Sequence, residues 1–293
     1  MKNFKGTFTA LATPFKDDKI DYKSLDRLLK QQLEGGVDGF VVNGTTAESP
    51  TLTSAEVAEL YKHIRSFVGA SVPLVVGTGS NSTAKTIEDS QKAEQWGADA
   101  LLVVVPYYNK PPQRGLVEHF KKVASSVKIP TILYNVPGRT ITSLSTESIL
   151  ELSKTPGVVG IKEASGKVDF DAEIAHVCGS NFVLLSGDDG TYVEFLGVGG
   201  HGVISVASHV IPKQMVQWKK WVAEGQITQA RQDIQKYMKL IDLLFTEANP
   251  IPVKKALQLM GIFESATMRL PLMELTPVHT EALKTEMHNL GLL

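Results

Sequence analysis

The chain has 293 residues, a formal net charge of −1, 43% hydrophobic residues and 21% charged residues. That is an ordinary composition for a globular enzyme with a large core, and without a basic surplus to neutralise phosphates it argues against a nucleic-acid partner. The single Cys178 cannot close an intrachain disulfide, no apolar run approaches the roughly 20 residues of a membrane helix, and the start Met1-Lys-Asn-Phe-Lys lacks a signal-peptide core, so a cytoplasmic protein with no membrane partner is expected.

In chain order, short runs rich in Val, Ile and Leu recur at Gly6–Thr13, Gly39–Asn43, Leu74–Thr78, Ala100–Val105, Thr131–Asn135, Val158–Lys162, Phe182–Ser186 and Gly202–Val206. They lack strict polar alternation, as strands of a parallel sheet covered on both faces do. Amphipathic segments separate them. Ser24–Leu33 sets Leu25, Leu28, Leu29 and Leu33 at helical spacing before the Gly35-Gly36 stop. Thr53-Ser54-Ala55-Glu56 reads as a capping box opening the next helix. Thr83–Trp96 and Gln113–Val127 are similar. After His209 no further strand signal appears, and helices are predicted over Pro212–Ala223, Thr228–Phe245, Val253–Met260 and Pro277–Leu290. The expected fold class is α/β, a (β/α)₈ TIM barrel over residues 1–225 with a small C-terminal helical appendage over residues 226–293.

Barrel enzymes place their chemistry at the C-terminal ends of the strands. Lys162 ends the run Val158–Ile161. A lysine emerging from a buried strand is partly desolvated, which disfavours the ammonium and leaves an amine nucleophile; the alternative is a lysine that reaches out to solvent. Tyr134 ends the preceding strand, so a barrel sets it beside Lys162, where a phenol could move protons or simply pack. Asn43-Gly44-Thr45-Thr46 forms a tight turn whose N–H groups could hold a carboxylate, or an ordinary helix-capping turn. Arg139 follows the Tyr134 strand by a short loop and could clamp a carboxylate, although a solvated arginine is the default.

Other patterns carry less. Gly197-Val-Gly199-Gly-His-Gly202 matches GxGxxG but precedes a strand instead of following one. The seven histidines show neither HxH nor HExxH spacing, so no metal site is expected. Asp188-Asp189 reads more readily as a loop or helix cap than as a cation site. No GxSxG elbow is present.

Read together, the strand-end segments resemble the dihydrodipicolinate synthase/N-acetylneuraminate lyase family of pyruvate-dependent aldolases. The stretches that carry the resemblance are Gly44-Thr-Thr-Ala-Glu-Ser49, Pro106-Tyr-Tyr-Asn-Lys-Pro111, Tyr134-Asn-Val-Pro-Gly-Arg-Thr140, Gly160-Ile-Lys-Glu-Ala164, Leu185-Ser-Gly-Asp-Asp189, Gly199-Gly-His-Gly-Val-Ile-Ser205 and Asn249-Pro-Ile-Pro-Val-Lys254. They fall in order and span nearly the whole chain. The resemblance implies that Lys162 forms a Schiff base with pyruvate. It implies a proton relay of Tyr134, Thr45 and Tyr108, with Tyr108 reaching in from a neighbouring subunit of a homotetramer, a dimer of tight dimers. The backbone of Thr45 and Thr46 would hold the pyruvate carboxylate, Gly187 and Ile204 would line the pocket, and Arg139 would grip the carboxylate of L-aspartate-4-semialdehyde. The implied product is 4-hydroxy-tetrahydrodipicolinate, on the diaminopimelate route to lysine. Lys162 serves as the electron sink, so neither pyridoxal phosphate nor a metal is called for.

Two departures stand out. The family usually has glycine where this chain has Ala47; if that position needs a positive φ, alanine strains the turn by roughly 1–2 kcal/mol. Positions that hold lysine in feedback-inhibited members read Ser54, Val57 and Lys85 here, which implies weak or absent lysine inhibition. The nearest rival reading is another pyruvate aldolase, a sialic acid lyase or a keto-deoxy sugar-acid aldolase, against which Arg139 argues. A non-catalytic barrel is disfavoured because Lys162, Tyr134 and Thr45 are all intact, and an NAD-dependent oxidoreductase because no glycine loop is correctly placed.

Overall fold

In the computed structural model, which describes residues 2–293, eight strands close into a parallel barrel. They are β1 (Gly6–Ala10), β2 (Gly39–Val42), β3 (Leu74–Gly77), β4 (Ala100–Val104), β5 (Thr131–Asn135), β6 (Val158–Glu163), β7 (Val183–Ser186) and β8 (Gly202–Ser205). All eight expected strands form, most within a residue or two of the expected ends. β1 is the exception. It stops at Ala10, and after Pro14 the chain turns into a small antiparallel ribbon, Phe15–Lys16 with Lys19–Ile20. The strands are apolar on both faces because side chains alternate between the barrel interior and the surrounding helices. In β2 and β4, Phe40, Val41, Leu101 and Val103 are all buried.

The helices follow from the same patterns. Tyr22–Glu34 buries Leu25, Leu28 and Leu29, and Asp21 caps it by accepting from the N–H groups of Lys23 and Ser24. Ser54–Val68 opens on the expected capping box, with Thr53 and Glu56 satisfying each other's backbone N–H. The predicted helix Thr228–Phe245 is two, Ile227–Ile234 and Met238–Leu243. Between them Lys236 and Tyr237 donate back only three residues, to Asp233 and Ile234, which tightens the chain out of α geometry. Ile251–Leu259 and Pro277–Asn289 form close to where they were expected.

The chain packs as two compact units. One is residues up to Gly6 with Val72–Ile204; the other is Thr7–Ser71 with Ser205–Leu293, so the C-terminal helices belong with the first two βα units. No helix among the described residues is long and apolar enough to cross a membrane.

Candidate active site

In the first unit, β5 and β6 pair in register so that Tyr134 lies opposite Lys162 and Asn135 opposite Glu163. Period-two alternation then separates the two pairs onto opposite faces of the sheet. Lys162 is 7% exposed, and its Nζ lies 4.3 Å from the centre of the Tyr134 ring, which is itself buried. A primary amine is thus held out of bulk water against an aromatic face. Gly187, just past β7, makes the room. A Cβ there would lie 2.8 Å from Lys162 Cε and 2.5 Å from Ala164 Cβ, well inside van der Waals contact. Ile204 is buried in β8.

On the other face the residues next to the pair are locked together. Asn135 donates from Nδ2 to Glu163 Oε2 at 2.6 Å and accepts the Leu144 N–H at 3.0 Å. Glu163 Oε1 accepts the Ser165 N–H at 2.6 Å. Burial pushes the Glu163 carboxyl above its usual range. Nearby Asp171 is pushed up to about 7, by burial first and then by the charges of Glu163 and Asp188. Asp188 serves as the expected loop cap, accepting from the Thr191 N–H and hydroxyl.

In the second unit, Thr45–Ala47 forms a single 3₁₀ turn after β2, and Thr46 and Ala47 are buried. The first N–H groups of such a turn have no acceptor within it. Ala47 does not take a positive φ; the left-handed residues are Asn43 (φ 59°) and Glu48 (φ 59°). The alanine therefore strains nothing, and the cost of roughly 1–2 kcal/mol falls on Glu48 instead. The Ala47 carbonyl accepts the Thr13 hydroxyl at 2.9 Å.

Residues of the C-terminal segment grip this turn. Asn249 Nδ2 donates to Thr46 Oγ1 at 2.9 Å. Lys254 Nζ donates to Glu48 Oε1 at 2.6 Å, with both side chains fully buried. Burial pushes the Lys254 ammonium down, and Glu48 opposes that push. Arg269 donates its backbone N–H to Glu48 Oε2 and its guanidinium to both oxygens of Glu56 and to the Thr51 carbonyl. The guanidinium hydrogen bond holds the Glu56 carboxyl down to about 2.

The remaining predicted residues stand at the surface of this single chain. Tyr108 is 86% exposed and adopts φ 73°. Arg139 lies exposed in the short helix Pro137–Thr140. Lys85 pairs with Asp89 one helical turn on, at 2.8 Å. Sequence reading assigned no role to Asn135, Glu163, Glu48, Lys254 or Arg269. A lysine among Val253, Ala256 and Leu257 was a signal, since an uncompensated charge in an apolar stretch needs a partner.

Residues 3–290 match the dihydrodipicolinate synthetase family. A 4-hydroxy-tetrahydrodipicolinate synthase of Bdellovibrio bacteriovorus is 75% identical over 293 residues, covering all of both chains. The crystal structure of dihydrodipicolinate synthase from Thermotoga maritima superposes with a TM-score of 0.97 at 40% identity, over 99% of each chain. That of the chloride-inhibited dihydrodipicolinate synthase from Acinetobacter baumannii, complexed with pyruvate, does so at 0.96 and 38%, over 99% of this chain and 100% of that one.

Proposed function

The chain belongs to the dihydrodipicolinate synthetase family, and from that premise we propose that it condenses pyruvate with L-aspartate-4-semialdehyde to give 4-hydroxy-tetrahydrodipicolinate, in the diaminopimelate route to lysine. The observation that carries the assignment of the chemistry to particular residues is the buried Lys162 amine over the Tyr134 ring.

The steps follow from what an amine can do. The Lys162 amine adds to the pyruvate ketone, and loss of water leaves an imine. The imine nitrogen, once protonated, withdraws electrons, so a methyl proton leaves and an enamine forms. The enamine carbon attacks the aldehyde, and the new alkoxide takes a proton. The amine of the second substrate then displaces Lys162 by transimination, which closes the ring and returns the lysine. Each step moves a proton, and a phenol beside the nitrogen is suited to moving it. Tyr134 takes that role, with Thr45 and Tyr108 completing the relay. The N–H groups of Thr45 and Thr46 hold the pyruvate carboxylate, and Gly187 and Ile204 bound the space around the imine. Arg139 binds the carboxylate of the aldehyde substrate through its planar fork.

The exposure of Tyr108 and its left-handed backbone in a single chain support its reaching into a neighbour's site, within a homotetramer built as a dimer of tight dimers. As a biosynthetic enzyme the protein would work in the cytoplasm. The test is borohydride reduction with pyruvate. One reduced three-carbon acid should appear on the peptide that contains Lys162, and Lys162→Ala should abolish it while the melting temperature stays near wild type. Label on another lysine sinks the mechanism. Turnover of sialic acid in place of the aldehyde would overturn the substrate assignment.

A further inference from the structure

The turn Thr45–Ala47 ends on a residue that local chemistry would not choose. Glu48 carries a long acidic side chain, sits in the left-handed region at φ 59° and ψ 40°, and is 1% exposed. Left-handed backbone favours glycine, and a buried carboxylate is tolerated only with partners. Strain of this kind persists where the surroundings over-determine it.

The partners of the Glu48 carboxylate are both C-terminal. Lys254 Nζ meets Glu48 Oε1 at 2.6 Å and the Thr267 carbonyl at 2.6 Å, so two of its three donors are fixed. The Arg269 N–H takes Glu48 Oε2 at 3.0 Å. The Phe15 ring lies 4.4 Å from Lys254 Nζ and 4.4 Å from the Arg269 guanidinium, which puts an electron-rich face against both cations. The Glu48 carbonyl in turn accepts the Thr51 N–H and hydroxyl, each at 2.9 Å. The carboxylate and the carbonyl of Glu48 are thus tied to different neighbours. That fixes the peptide planes at the end of the turn.

We infer that Glu48 and Lys254 are a positioning pair: through this buried ion pair the helix Ile251–Leu259 sets the orientation of the Thr45–Ala47 turn and thereby the affinity for pyruvate, without touching the substrate. The inference rests on the assignment of the pyruvate carboxylate to the Thr45 and Thr46 N–H groups. A pair that served stability alone would be replaceable by apolar or neutral side chains of similar size with little change in binding. A positioning pair is not replaceable in that way, because the turn loses its anchor even when the fold survives.

The experiment compares wild type, Lys254→Met and the double variant Glu48→Gln/Lys254→Met. The single variant leaves a buried carboxylate without its cation and should melt well below wild type. The double variant removes both charges and should melt within a few degrees of wild type. Its KM for pyruvate should rise about tenfold or more, with kcat at saturating pyruvate within about threefold and the KM for the aldehyde unchanged. Borohydride with saturating pyruvate should still label Lys162 in the double variant. An unchanged pyruvate KM in a folded double variant overturns the proposal, and so does a fall in kcat with KM preserved. A double variant that does not fold also overturns it, since the pair is then needed for the fold itself. Failure of the underlying assignment is recognised separately, by wild-type protein that gives no pyruvate adduct on Lys162.

Discussion

Replacing Gly187 by alanine should damage catalysis more than it damages the fold. The added Cβ would lie 2.8 Å from Lys162 Cε and 2.5 Å from Ala164 Cβ. Carbon atoms rest at about 3.5–4.0 Å, so the deficits are roughly 1 Å against the lysine and somewhat more against the alanine. The two neighbours respond differently. Lys162 Cε is near the end of a flexible side chain and can swing aside. Ala164 Cβ is fixed to backbone whose N–H is bonded to the Asn135 carbonyl, and Gly187 itself donates to the Glu163 carbonyl. Overpacking of this kind costs about 1–3 kcal/mol, a fall in melting temperature of a few degrees for a chain of this size. A displacement of about 1 Å at a reacting amine can cost on the order of 100-fold in rate. The assay is the rate at which pyruvate and borohydride inactivate the enzyme, run beside steady-state turnover and thermal melting. Gly115→Ala is the control, because its Cβ would meet only Pro111 and Pro112 at ordinary contact distance, the nearest at 3.5 Å. It should leave activity unchanged. Wild-type rates of adduct formation in Gly187→Ala would refute the placement of the Lys162 amine against this glycine.

Three further outcomes are expected. Arg139→Ala should raise the KM for the aldehyde by at least about tenfold, since one charge-assisted fork is lost, while pyruvate adduct formation on Lys162 stays near wild type; equal damage to both substrates would make Arg139 structural. Mixed Tyr108→Phe and Lys162→Ala subunits, each inactive alone, should recover measurable turnover when co-assembled, and a fully active monomer in sedimentation would refute the shared site. The buried histidines should subtract from stability as the pH falls below neutrality. His209 donates from Nδ1 to the Val206 carbonyl and accepts the Ala12 N–H at Nε2, so the fold holds it neutral, and burial pushes its pKa down to about 4, as it does for His119. The unfolded chain, with histidines near 6.5, binds more protons between those values, so their contribution is whole above about 6.5 and is lost as the pH falls towards 4. Asp171 and Glu163, whose carboxyls burial raises, act with the opposite sign over this window, so the check is a comparison with His209→Gln: a melting temperature that falls between pH 7 and 4.5 by as much in the variant as in wild type would contradict this.

The sequence by itself determined the alternation of elements and, to within a residue, every strand end but that of β1. Eight runs of Val, Ile and Leu could only be strands buried on both faces, and a capping box at Thr53–Glu56 fixed a helix start, because these signals act over a few residues. Lys162 and Tyr134 were candidates by position, at the ends of apolar runs, and it was the family resemblance that singled them out. Tertiary structure alone decided what supports them. The Asn135–Glu163 lock joins residues 28 apart, and the Glu48–Lys254 pair joins residues 206 apart. The apolar setting of Lys254 signals that a partner is needed, but no local pattern names the partner in either bond. Tertiary structure also decided that Ala47 is unstrained and that Glu48 bears the left-handed turn, since the backbone strain settles where distant partners can hold it. A buried charge is tolerated only where an opposite charge is brought to it, and which charge arrives is a property of the closed fold and not of the neighbouring sequence.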